Sequence, residues 1–141
     1  MKITESAEMY LETILVLSKQ GDVRAIDIGR AMNFSRPTVS VAIHNLEKDG
    51  YIKISPEGNI TLKASGLKIA ETIYERHTVL TEMLIQLGVS EKTASEDACK
   101  IEHDISQETF DCIKKHISNT PSFTSKRISD FANNPSHNDI R

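Results

Sequence analysis

Tryptophan is absent, aromatic residues make up only 5 % of the chain, and there are just two cysteines. So few cysteines exclude a disulfide framework. Cys99 and Cys112 fall in segments that read as different helices, and both are expected as thiols in a reducing cytoplasm. A long apolar run is also missing. The N-terminal MKITESAEMYLETILVLSKQ is interrupted by Glu8 and Glu12 and has no small-residue cleavage site, which excludes a membrane span and a secretory signal. No excess of positive charge is present: the net charge of −3 argues against a generally polyanion-binding surface, while leaving room for a small basic face. There is no internal repeat and no glycine-rich phosphate cradle. The 141 residues suffice for one domain or two small ones, but not for a large catalytic architecture.

What is present is charge and helical periodicity. Charged residues form 26 % of the chain, as in soluble, helix-rich globular proteins. In residues 5–19, Ala7, Tyr10, Leu11, Ile14, Leu15 and Leu17 give a roughly helical apolar stripe, with Gly21 beyond its C-terminus. A shorter helix fits 25–33, on Ile26, Ile28 and Met32. The segment NFSRPTVSVAIHNLEKDGYI then offers Ser35 as an N-cap and Pro37 in the first turn, where a missing N–H costs nothing. Val39, Ala42, Ile43 and Leu46 recur on its inner face, and Gly50 stops the helix near Asp49. YIKISPEGNITLKAS alternates apolar and polar residues on either side of a turn at 56–59, which predicts a short β-hairpin.

Helix, helix, turn, helix, hairpin is the winged helix-turn-helix order. Further helices are expected over 64–87, 90–103 and 106–118, followed by an irregular tail rich in Ser, Asn, Pro and Thr. The expected class is therefore mainly α. A winged helix-turn-helix domain spans 1–66, an all-helical domain 67–118 and the tail 119–141.

On the third helix, the face opposite the apolar stripe carries Arg36, Thr38, Val41, His44, Asn45 and Lys48, with Ser35, Pro37 and Ser40 at its borders. Short polar side chains let a helix approach a major groove closely, where hydroxyls and methyl groups meet base edges. Arg36, Lys48, Lys53 and Lys63 could hold phosphates. The alternative is an ordinary solvated helix face, but the hairpin at the right distance favours double-stranded DNA as partner.

A second constellation lies in DACKIEHDI. Residues spaced i, i+3 and i+4 share a helix face, so Cys99, Glu102 and His103 would point into one volume. Thiolate, carboxylate and imidazole together suit a divalent transition metal. Cys99 could equally be a small core residue, and a Glu-His pair can be solvated surface. Cys112 and His116 also stand at i, i+4, but Phe110, Ile113 and Ile117 around them point to a dimer core or its edge.

MYLETI at 9–14, SRPTVSVAIHNLEKDGYI at 35–52, Arg76-His77 and EDACKIEHDIS at 96–106 together resemble the diphtheria-toxin-repressor family of metal-dependent bacterial repressors. The resemblance covers residues 5 to 118. It implies a winged helix-turn-helix domain followed by a helical dimerisation domain, acting as a metal-loaded homodimer on palindromic operators. It further implies that Met9, Cys99, Glu102 and His103 form the primary metal site. His77 would serve a second metal or a shared binuclear centre, and Glu12 matches a carboxylate ligand of the manganese branch.

Where the manganese regulators of the family have an aspartate and a glutamate, this chain has Met9 and Cys99. Sulfur donors favour softer ions, so Fe²⁺ is expected, with Co²⁺, Ni²⁺ or Zn²⁺ as surrogates and Mn²⁺ as the alternative. Some positions depart from the pattern. Ser95 stands where a ligand histidine is expected, Thr81 stands where a carboxylate is usual with Glu82 one step off, and Val41 replaces a glutamine. The chain also leaves no room for the third, SH3-like domain of the iron branch. Two competing functions are a winged-helix regulator sensing an organic ligand and a small zinc hydrolase. The hydrolase would need an open coordination position, a cleft and a general base, and the sequence offers no such set. No membrane and no small organic substrate is expected as partner.

Overall fold

The computed structural model describes residues 3–118, and the tail expected over 119–141 lies outside the described residues. The elements are helices α1 (Glu5–Ser18), α2 (Ala25–Met32) and α3 (Arg36–Lys48), strands β1 (Ile52–Ile54) and β2 (Ile60–Leu62), and helices α4 (Ala64–Gln86), α5 (Glu91–Ile101) and α6 (Gln107–Ser118). They divide into two compact units, one ending at Thr72 and the next starting at Ile73, so the division falls within α4. Among the described residues no helix is long and apolar enough to cross a membrane.

In the first unit the helix starts follow local chemistry. Thr4 caps α1 by accepting from the Ala7 N–H at 3.1 Å, and Ser35 caps α3 by accepting from the Thr38 N–H at 3.4 Å. At α2 the bond runs the other way round: the Arg24 N–H donates to the Asp27 carboxylate at 2.9 Å. The tight turn from α2 into α3 needs a left-handed residue, and Asn33 supplies it at φ 57°. The following Phe34 N–H donates to the Gly29 carbonyl at 3.0 Å.

These helices bury a core of Leu11, Ile14, Ile28, Val39, Ile43 and Leu46, closed by Ile52 and Ile60 from the hairpin. Each such side chain contributes roughly 1.5–3 kcal/mol on leaving water. Strands β1 and β2 pair antiparallel with Ile52 opposite Leu62 and Ile54 opposite Ile60. The hairpin turn is closed by the Gly58 N–H to the Ser55 carbonyl at 2.9 Å. The wing is fastened on both sides. The Ile60 N–H donates to the Val23 carbonyl at 2.8 Å, and the Ile54 N–H donates to the Glu47 carboxylate of α3 at 3.0 Å.

The second unit contains the later part of α4 with α5 and α6. Its buried apolar residues include Ile73, Val79, Leu80, Ala94, Ala98, Phe110 and Ile117. Ser90 caps α5 and Ser106 caps α6 through the Thr93 and Thr109 N–H groups. The helix expected over 90–103 stops at Ile101, leaving Glu102 as its C-cap and His103 in the turn that follows. In that turn the Arg76 guanidinium donates to the carbonyls of Glu102 and Ile105 at 3.1 Å each. An arginine so placed satisfies carbonyls that no helical turn supplies with donors.

At the start of α4, Gly66 lies so close to the chain after α3 that an added Cβ would sit 2.2 Å from the Tyr51 carbonyl oxygen. That atom is backbone and cannot swing away. Gly66→Ala should therefore destabilise the protein by about 1–3 kcal/mol, despite alanine's better helix propensity. Urea unfolding would check this, and a gain in stability would contradict the close approach.

Candidate DNA-reading face and metal centre

Helix α3 sorts its residues as its periodicity requires. Val39, Ile43 and Leu46 are buried, whereas Ser35, Arg36, Pro37, Thr38, Ser40, Val41, His44, Asn45 and Lys48 are all exposed. The nine exposed residues form one continuous face. The His44 Nδ1–H donates to the Ser40 carbonyl at 2.7 Å, which fixes the ring against the preceding turn. Lys53 and Lys63 are exposed at the wing, as phosphate-holding residues must be. Sequence reasoning missed Arg30. Together with Arg36, Pro37 and Ser40 it lines an open concavity between α2 and α3 of about 640 Å³. No pattern in the sequence flagged Arg30; its place follows from the angle between two helices.

In the second unit a cluster of titratable side chains is buried. His77 on α4 and Glu102 at the end of α5 each have no exposed side-chain area, and His77 Nδ1 lies 2.8 Å from Glu102 Oε2. The other carboxylate oxygen, Oε1, lies 3.4 Å from His103 Nε2, whose side chain is also fully buried. One helical turn before Glu102, Cys99 is 6 % exposed. Although His103 has left the helix, the structure thus brings His77, Glu102 and His103 together within one unit. Cys99 shares the Glu102 face of α5 by its i, i+3 spacing.

Such a cluster is a poor stabilising device. Burying each charged group costs several kcal/mol, and well-packed apolar residues often serve stability equally well. Two donors of one divalent transition ion, each about 2.1 Å from it, stand roughly 3.0–3.4 Å apart; His103 Nε2 and Glu102 Oε1 have that separation, whereas the 2.8 Å contact of His77 Nδ1 with Glu102 Oε2 is a hydrogen bond. Ser95, which stands where a ligand histidine is expected, places its Oγ 3.4 Å from His77 Nε2. Thr81 and Glu82 are both fully buried, and the Gln86 amide donates to Glu82 Oε2 at 3.4 Å.

In the first unit, Met9 is half-buried on α1, and Glu12, one turn on, is 1 % exposed. A carboxylate so placed must be compensated by hydrogen bonds or by positive charge. The Thr13 hydroxyl donates to the Met9 carbonyl at 2.8 Å, pinning that turn. Exposed Cys112 and His116 occupy the outer side of α6, whereas its Phe110 and Ile117 are buried.

Arg76 is the residue whose role the sequence did not give, although it stands beside His77. Besides the two carbonyls, it donates to Gln107 Oε1 at 3.0 Å and lies 5.5 Å over the Phe110 ring. It fixes the turn that carries Glu102 and His103.

Comparison with known proteins matches the chain in two stretches. Residues 2–60 match the family described as "Iron dependent repressor, N-terminal DNA binding domain". Residues 63–124 match "Iron dependent repressor, metal binding and dimerisation domain". An HTH-type transcriptional regulator of Methanocaldococcus jannaschii is 32 % identical over 115 residues, covering 79 % of this chain and 92 % of that one. The transcriptional regulator MntR of Escherichia coli O6:H1 is 34 % identical over 111 residues, covering 78 % and 72 %. Among solved structures, T. acidophilum IdeR superposes with TM-score 0.68 at 26 % identity, covering 84 % of this chain. A manganese-dependent transcriptional repressor complex with manganese reaches 0.73 at 24 %, covering 81 %. This chain spans 55 % and 53 % of those two solved chains.

Replacing Arg76 with Gln should lower unfolding stability by about 2 kcal/mol or more, since two carbonyls lose a charged donor. It should also accelerate amide exchange across residues 102–107. Glu75→Gln breaks only the half-exposed pair with Lys114 and should cost about 0–1 kcal/mol. Equal effects of the two variants would show that Arg76 does not hold the turn.

Proposed function

The chain belongs to the diphtheria-toxin-repressor family of iron-dependent repressors and is a metal-dependent transcriptional repressor; from that premise we propose that it responds to Fe²⁺ and binds palindromic operator DNA as a homodimer. It is a regulator, as its relatives are, and not an enzyme.

The buried Cys99, Glu102 and His103 are the observation that carries the reading. With Met9, Glu12 and His77 they form the proposed ligand set. When bound, a divalent cation supplies the positive charge that the buried carboxylates call for and a fixed point joining residues distant in the chain. Cys99 contributes a thiolate and Met9 a thioether, donors that select softer ions. Glu102 offers two oxygens, each already facing an imidazole. Arg76 holds the turn from which Glu102 and His103 project, and Ser95 orients the far nitrogen of His77.

Control of DNA binding follows from the placing of the donors in sequence. Met9 and Glu12 lie on the helix that buries the core behind α3, while Cys99, Glu102 and His103 lie in the dimerisation domain. Tying these two sets together restricts the orientation of α3. In a dimer the two copies of α3 must enter successive major grooves, about 34–36 Å apart. A 100-fold tighter hold on the cation by that arrangement corresponds to roughly 2.7 kcal/mol, sufficient for a switch. On the DNA side, Arg30, Arg36, Lys48, Lys53 and Lys63 hold phosphates, while Ser35, Pro37, Thr38, Ser40, Val41 and Asn45 face the bases.

A second reading, Mn²⁺ as the physiological ion, is favoured by the hard carboxylate donor at Glu12. Anaerobic titration of each ion against binding of the protein's own upstream DNA separates the two. The expected result is loss of binding in chelator and recovery at lower free Fe²⁺ than Mn²⁺. Cys99→Ala should raise the Fe²⁺ requirement by about tenfold or more while shifting the Mn²⁺ requirement less. Recovery at lower Mn²⁺ would transfer the assignment to manganese. Binding that ignores chelator would point to a regulator controlled by something other than metal.

A further inference from the structure

Val41 stands at the middle of the exposed face of α3 with 63 % of its surface in water, the highest exposure of any large apolar residue described in the first unit. Packing does not explain it. The inner stripe of α3 is complete without it, and a β-branched residue on a solvent-facing helix position is less favourable than alanine. Around it the face is polar: Arg36, Thr38, Ser40, His44, Asn45 and Lys48 are all exposed. Valine can neither donate nor accept a hydrogen bond, so it adds nothing to phosphate contacts.

We infer that Val41 is a specificity-determining residue, reading the C5-methyl group of a thymine in the major groove. That methyl is the apolar feature among the base edges exposed there, and an apolar side chain at the centre of a groove-reading face is matched to it. The β-branch strengthens the match. In a helix valine keeps one strongly preferred χ1 rotamer, so its two methyls are already positioned and lose little freedom on contact. Neighbouring His44 is tethered back to the Ser40 carbonyl at 2.7 Å, one turn away along the same face. The inference rests on the assignment of α3 to operator DNA and adds the identity of one base.

The test starts with selection of binding sites from a random duplex pool by the metal-loaded protein. Each thymine of the selected half-site is then replaced by uracil, which removes the methyl and nothing else. At one position per half-site the wild-type protein should lose about fourfold in affinity, the worth of one buried carbon, and about fifteenfold when both half-sites are altered. Val41→Ala should bind the unaltered site more weakly and show less than a twofold response to uracil there. Circular dichroism and the unfolding midpoint confirm that the variant is folded. A selected, metal-dependent site in which every uracil substitution is silent, or in which Val41→Ala keeps the full response, overturns the inference and leaves the operator assignment standing. Failure to select any duplex would remove both.

Discussion

The Glu102 carboxylate, shut away from water between the imidazoles of His77 and His103, is the interaction around which the second unit is organised. An anionic group with no exposed area has to be compensated at every oxygen, and each compensation constrains an element. His77 constrains α4, His103 the turn after α5, and Arg76 the backbone between them. The cluster occupies buried space in a unit where, among the described residues, Phe110 and Leu80 are the largest fully buried apolar side chains. A protein keeps such a group when it does something that apolar packing cannot. Holding a cation is a task that a carboxylate between two imidazoles suits.

The first unit solves a different problem with ordinary means. Its three helices and wing bury one continuous apolar cluster, and every element boundary has a local cause: Thr4, Asp27 and Ser35 at helix starts, Asn33 in the turn, Gly66 where two segments touch. That rigidity is what makes an exposed face readable. The side chains of α3 that point outward are fixed in relation to one another because Val39, Ile43 and Leu46 are locked inward.

Much of this was legible in the sequence because it rests on neighbours along the chain. The 3.6-residue stripe of α3, Ser35 with Pro37 at its start and the alternation around 56–59 gave the helix-turn-helix and its wing within about a residue. Spacing also places Cys99 one helical turn before Glu102, but it puts His103 on the same helix, which His103 has left. What spacing could not give came from contacts between distant segments. Arg76 reaches the Glu102 carbonyl from 26 positions away, in the turn where His103 lies and where the periodicity predicts two more helical residues. Ser95, expected only as a missing ligand, faces His77. Arg30 lines the concavity beside Arg36 solely because α2 and α3 lie against each other there. A single chain's pattern reports faces of elements, whereas these three depend on how elements are laid against each other.

The central claim is that the cation in this protein is held by sulfur from Cys99 beside the buried Glu102 and His103. X-ray absorption of the protein loaded with Co²⁺ or, anaerobically, Fe²⁺ reads this directly. The account predicts a sulfur scatterer at about 2.3 Å together with nitrogen and oxygen scatterers, the sulfur contribution falling in Cys99→Ala. A first coordination shell of oxygen and nitrogen alone in the unaltered protein would contradict it.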